Sequence, residues 1–136
     1  MPARRAKRSS GESAPPPLHE LESEVMEELW SAGEATVRAV MDALNPRAAK
    51  PRAYTTYMTI MARLHRKGLL HRRREGKTDF YAPAYGRDEY MALRARAEVD
   101  GLVAQYGDVA LSHFARQMAE LDPARRRALE RLAKQR

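Results

Sequence analysis

Apolar residues recur along this chain at helical spacing in several separate blocks, and the breaks between blocks mark its elements. Leu18, Leu21, Val25, Met26, Leu29 and Trp30 make a wide apolar stripe with five glutamates opposite or flanking it. They predict a first helix from Leu18 to Trp30, ended by Ala32-Gly33. Val37, Val40, Met41 and Leu44 fall at i, i+3, i+4 and i+7, and Thr36 ahead of them can cap a second helix. Asn45-Pro46 closes it, and Arg47 to Pro51 is a basic connector. Tyr57, Ile60, Met61 and Leu64 repeat the same interval in a third helix, which Gly68 stops as a residue free to take positive φ. Two short β-type runs follow, Leu69 to Arg74 and Thr78 to Ala82, joined at Glu75-Gly76-Lys77, where glycine marks a hairpin turn.

Past Tyr85 the pattern is helical again. Asp88-Glu89 suits the positive end of a helix dipole. Tyr90, Met91, Leu93, Ala97, Leu102, Val103 and Tyr106 suit one long helix, weakened at Gly101 and ended by Gly107. Val109, Leu111, Phe114, Met118 and Leu121 predict another, and Asp122-Pro123 places a cap and a first-position proline ahead of a last helix from about Ala124. Each of these helices offers a single apolar stripe. They cannot bury much among themselves, so a second copy of the chain is the expected partner, the alternative being that they fold back on the first domain. Met1 to Pro17 has no apolar period; it carries Arg4, Arg5, Lys7, Arg8 and Pro15-Pro16-Pro17, and disorder is expected there.

The order helix, short helix, turn, helix, basic hairpin is that of a winged helix-turn-helix. The expected fold class is mainly α, strictly α+β, with a small β-hairpin wing and a helical dimerisation tail. The expected organisation is a disordered basic tail over 1–17, a winged-helix domain over 18–85 and a helical dimerisation domain over 86–136.

Charge sharpens this picture. The net charge is +7, but its distribution is uneven. From Leu18 to Pro46 one cation, Arg38, faces seven acids; from Arg47 to Ala84 ten cations face only Glu75 and Asp79. Cations clustered on a helix and its hairpin suit a polyanion, because each phosphate they neutralise releases condensed counterions. On the third helix, Thr56, Thr59, Arg63 and Arg66 recur on the face away from the apolar one. Threonine offers a hydroxyl and a methyl to a thymine, and arginine forks onto guanine or holds phosphate.

Other chemistry finds no constellation. The chain has no cysteine, which removes disulfides and thiolate metal sites and fits a reducing cytoplasm. His19, His65, His71 and His113 do not pair with one another or with acids at ligand spacing, so no metal and no cofactor are expected. Ser112-His113 are adjacent on a helix and do not converge on a substrate, and no glycine-rich phosphate loop exists; no enzyme is expected. No apolar run reaches membrane-spanning length, and no membrane insertion is expected.

With these residues in view, the chain resembles the penicillinase repressor family, the BlaI/MecI/CopY group of winged-helix regulators. The resemblance rests on Glu22-x-x-Val25-Met26-x-x-Leu29-Trp30, on Thr55-Thr56-Tyr57-Met58-Thr59, on Arg63-Leu64 with Arg66-Lys67-Gly68, and on Glu75-Gly76-Lys77 closing on Phe80-Tyr81-Ala82-Pro83. It covers about Leu18 to Tyr85 and is looser beyond. It implies a homodimeric, cytoplasmic transcriptional repressor that binds an inverted-repeat operator in double-stranded DNA. Carried over, Thr56, Thr59 and Arg63 would face the groove. Tyr54 and Thr55 would approach the backbone at the helix N-terminus, Arg66 and Lys67 at the other end of the helix are further expected DNA contacts, and Arg72, Arg74 and Lys77 of the wing would meet phosphate. Tyr90, Leu93, Leu102, Val103, Tyr106, Phe114, Met118 and Leu121 would carry dimerisation. Copper-responsive members have a C-terminal cysteine cluster that this chain lacks. β-Lactam-responsive members are cleaved before a phenylalanine, which makes Phe114 the candidate position and a membrane sensor-protease pathway the implied partner. The alternative reading is a winged helix used as a protein-interaction module in a larger regulatory complex.

Overall fold

The computed structural model describes residues 14–135. Helix α1, Glu20–Ala32, begins where the His19 N–H donates to the Glu22 carboxylate at 3.0 Å, the return bond of a capping box. It ends at Gly33, whose N–H still reaches the Leu29 carbonyl at 2.7 Å and whose φ of 89° turns the chain out of the helix. Thr36 caps α2, Val37–Leu44, by accepting from the Ala39 N–H at 3.1 Å. A short 3-10 turn, Asn45–Arg47, follows. The Asn45 side chain bonds both the N–H and the C=O of Arg52 and accepts from the Tyr57 hydroxyl at 2.7 Å. One asparagine thus pins the connector to the start of α3, Tyr54–Arg66.

The end of α3 is a Schellman motif: Gly68 N–H bonds the His65 carbonyl and Leu69 N–H bonds the Leu64 carbonyl, while Leu64 and Leu69 meet in the core. The chain is thereby aimed into β1, Leu70–Glu75, which pairs antiparallel with β2, Thr78–Pro83, from Leu70↔Pro83 to Glu75↔Thr78. Gly76 opens the two-residue loop between them, and its φ of 63° is what such hairpins require. The wing is anchored by a bridge absent from the sequence reading. Ala35, between α1 and α2, exchanges both backbone hydrogen bonds with Tyr81 at 3.0 and 2.9 Å.

One core joins these elements. Val25 and Leu29 of α1, Val40 of α2, and Tyr57, Met61 and Leu64 of α3 are all at 0% exposure, closed over by Leu69, Leu70, Tyr81 and Tyr85. Three helices and a two-stranded wing around one core make a winged helix-turn-helix, mainly α, as the pattern predicts.

The chain divides into two compact units, up to Ala95 and from Arg96. Helix α4 is Arg87–Tyr106, α5 is Asp108–Ala119 and α6 is Pro123–Ala133. Gly107, at φ 60°, separates α4 from α5, and Asp122 caps α6 by accepting from the Arg125 N–H at 2.9 Å. None of the described residues from Arg96 onward is buried.

Two expectations need correction. Residues 1–13 of the expected disordered tail lie outside the described residues, but 14–17 are seated. Pro15 is buried, its carbonyl accepting from Arg94 Nη1 at 2.9 Å, and the Pro16 carbonyl accepts from the Tyr90 hydroxyl at 2.7 Å. Tyr90, expected at a dimer contact, is instead 4% exposed, its ring 5.6 Å from that of Trp30. Leu93 packs against the same core. The first two turns of α4 therefore finish the first unit, which is why it extends past Tyr85.

Candidate nucleic-acid interface

Helix α3 buries Tyr57, Ile60, Met61 and Leu64, and this fixes where every other side chain on it points. Thr55, Thr59 and Arg66 are exposed opposite the buried edge. Thr56 and Arg63 are half-buried on the flank toward α1, where Arg63 Nη1 lies 3.9 Å from Glu22 Oε2. Thr55, Thr56, Thr59 and Arg63 line one shallow depression. The other flank carries Tyr54, Met58 and Ala62, which face a groove shared with the capping Thr36, with Arg38 of α2 and with Arg72, Lys77, Thr78 and Asp79 of the wing. The hydroxyl-bearing side of α3 is thus open, and the wing borders the same helix rather than a distant flank.

The charge segregated along the sequence is largely cancelled in space. Glu22, at 1% exposure, receives Lys67 Nζ at 2.8 Å. Burial pushes its carboxyl up, but the His19 N–H and the Lys67 ammonium outweigh that and hold it below its ordinary value. Farther along α1, Glu24 pairs with Arg52 at 3.4 Å, Glu28 with Arg47 at 3.2 Å and Glu27 with Arg87 at 2.9 Å. On the wing, Arg73 bonds Glu34 at 3.0 Å and lies over the Phe80 ring, while Arg74 bonds Asp79 at 2.9 Å. These arginines hold the Glu34 and Asp79 carboxyls below the usual carboxylate range.

The cations of the Arg47 to Ala84 stretch that form no ion pair within 4.0 Å of a described acid are Lys50, Arg66, Arg72 and Lys77, although the charge of Arg72 is felt by Asp79. Of the expected contact residues, the structure brings Arg66 of α3, Arg72 of β1 and Lys77 at the wing tip to the surface outside any ion pair, together with Thr55 and Thr59. It commits Lys67 and Arg74 to ion pairs and ties Arg63 loosely to Glu22. Two residues of this surface escaped the sequence reading. Met58 is 47% exposed beside Tyr54. The Arg38 guanidinium lies 5.4 Å from the Tyr54 ring centroid, a cation–π distance. Its signal was in plain view, as the single cation in the acidic stretch.

In the second unit, Leu102 and Tyr106 are exposed at 42% and 52%, and Val103, Phe114, Met118 and Leu121 are half-buried. Val99, Val109, Leu111 and Leu132 are further large apolar side chains open to solvent.

A protein-family model described as the penicillinase repressor matches residues 18–135, spanning the winged helix and all three C-terminal helices. The chain belongs to the penicillinase repressor family. Among relatives, the transcriptional regulator BlaI of two Mycobacterium tuberculosis strains is 43% identical over 122 residues, covering 85% of this chain and 84% of that protein. A solution structure of the DNA-binding domain of the repressor BlaI is 26% identical, covering 57% of this chain and 92% of that one, with a TM-score of 0.49. A solution structure of monomeric Bacillus licheniformis BlaI with the blaP half-operator is 26% identical, covering 56% and 90%, with a TM-score of 0.47. Among the described residues of this penicillinase repressor family member, no group of three or more His, Asp or Glu is placed to hold a metal ion. No described helix is long and apolar enough to cross a membrane.

Proposed function

We propose that this chain is a homodimeric transcriptional repressor that binds an inverted-repeat operator in duplex DNA. Helix α3 enters the major groove and the β1–β2 wing lies along the sugar-phosphate backbone. The observation that carries this reading is the continuity of one surface. Thr55, Thr59 and Arg66 on α3 and Arg72 and Lys77 on the wing are exposed and outside any ion pair, on the two elements that flank one groove, while the cations facing α1 are neutralised. Thr55 and Thr59 present hydroxyl and methyl groups to base edges. Arg66, in the last turn, and Lys77, at the wing tip, reach phosphate. The name of the mycobacterial relative, a transcriptional regulator, supports the reading.

Self-association is the second half. The exposed apolar positions of α4 to α6 find cover in a second copy, and a two-fold dimer presents its two α3 helices about one turn of DNA apart. Release by a membrane sensor-protease would act at the His113–Phe114 bond. That bond lies within α5, so cleavage there requires the helix to unwind locally.

The test is binding of the full chain to the promoter region of its own gene against random competitor duplex. The expected result is preferential binding whose affinity falls steeply with salt. Equal affinity for both duplexes would defeat the repressor reading.

A further inference from the structure

Among the described residues of the first unit, three large apolar side chains stand open to solvent: Tyr54 at 39%, Met58 at 47% and Met91 at 39%. Two of them sit one turn apart on α3, and Ala62 continues their stripe a turn further on. Scattered exposed residues need no explanation, but adjoining ones on the helix that carries the DNA face do. The stripe floors the groove between α2, α3 and the wing. Its rim is cationic: Arg38 on one side, Arg72 and Lys77 on the other. Among the described residues Asp79 is the single acid lining it, and it is bonded by Arg74. Arg38 is exposed, and its position over the Tyr54 ring holds it at the rim. An apolar floor between cationic edges matches the major-groove edge of thymine, which carries the one methyl group of the four bases, with phosphates on either side.

Resting on the DNA-binding reading above, we propose that Tyr54, Met58 and Ala62 read thymine methyl groups, and that Arg38 and Lys77 hold the phosphates bordering them. Met58 supplies the main contact, being the most exposed and most adaptable side chain of the stripe. Arg38 extends the footprint onto α2, outside both the recognition helix and the wing.

The experiment begins by selecting, from a random duplex pool, the sequence that the full chain binds most tightly. Each thymidine is then replaced in turn by deoxyuridine, which removes only the 5-methyl group. Wild type is expected to lose about fourfold at one or two positions per half-site, the worth of one buried methyl. Met58→Ala should bind the thymidine and deoxyuridine duplexes equally at those positions, with unchanged thermal unfolding because the side chain is exposed. Undiminished discrimination by Met58→Ala at every position overturns the proposal. In the same assay Arg38→Ala should weaken binding to all duplexes and lower the log–log salt slope by about one; an unchanged slope removes Arg38 from the clamp. Failure of wild type to select any duplex would instead defeat the DNA-binding reading itself. Binding without methyl discrimination defeats this inference alone.

Discussion

The two units of this chain treat apolar side chains in opposite ways. Up to Ala95, three helices and a hairpin close over a shared core in which Leu29, Tyr57 and Leu64 are fully excluded from water. From Arg96 onward the chain is equally helical, yet no described residue is buried, and Tyr106, Val109 and Leu132 are each more than half exposed. Helix formation and core formation are therefore separable here. Caps and propensity suffice to write α5 and α6, but burial needs facing stripes, and a single chain supplies those only in the first unit. The first unit is built to be complete alone. The second is built to be completed.

That contrast can be broken most forcefully in the core. Leu29→Ala should cost about 2–5 kcal/mol in urea or thermal unfolding, because it removes transfer energy and leaves a cavity. Leu111→Ala, measured at concentrations where the chain is monomeric, should cost under about 1 kcal/mol. Equal costs would erase the distinction between the units. Next in size is Glu22→Ala, which strands Lys67 beside an emptied buried site; with the lysine partly hydrated, a loss of about 2 kcal/mol is expected. The same carboxylate fixes a pH dependence. Its folded pKa lies below its ordinary value of 4.5, so its contribution is fully present above that value and is lost as pH falls through the lower folded pKa. Acid unfolding curves of Glu22→Gln should lack that component; curves parallel to wild type would show that the Lys67 pair contributes nothing.

A smaller effect, about 1.5 kcal/mol or roughly tenfold, is expected in the dimer dissociation constant of Tyr106→Asp, read by sedimentation equilibrium. The first unit should unfold as before. Unaltered self-association would place the dimer contact elsewhere. Smallest of all, Glu28→Gln removes a surface pair whose arginine is 66% exposed, and stability should change by under about 0.5 kcal/mol. A larger change would mean that the α1 glutamates clamp the basic segment as a cooperative set.

What could be read from the sequence was what acts locally. Gly33, Thr36, Gly68, Gly107 and Asp122-Pro123 are terminators or caps whose effect reaches a few residues, and the helices and strands of the first unit fall within about two residues of the predicted spans. The apolar period of α3 named its buried edge correctly for the same reason. What could not be read depends on residues far apart in the chain. Glu22 is one of five similar glutamates until Lys67, 45 positions on, comes within 2.8 Å of it. Pro15 belongs to a featureless tail until Arg94 bonds its carbonyl across 79 positions. Tyr90 fits a dimer stripe until Trp30 is beside it. The threonine and arginine face of α3 was visible, but its rotation was not. The tilt toward α1 that half-buries Thr56 and Arg63, and leaves Thr55, Met58 and Arg66 outermost, is set by packing.

The most direct test is a hydroxyl-radical footprint of the full chain on its selected duplex, taken at saturating protein with the mass of the complex measured alongside. Two protected half-sites, related by a two-fold and centred about one helical turn apart, on a complex of two chains per duplex, is the predicted result. A single half-site occupied by one chain at saturation would contradict the claim that the open second unit completes itself with a second copy.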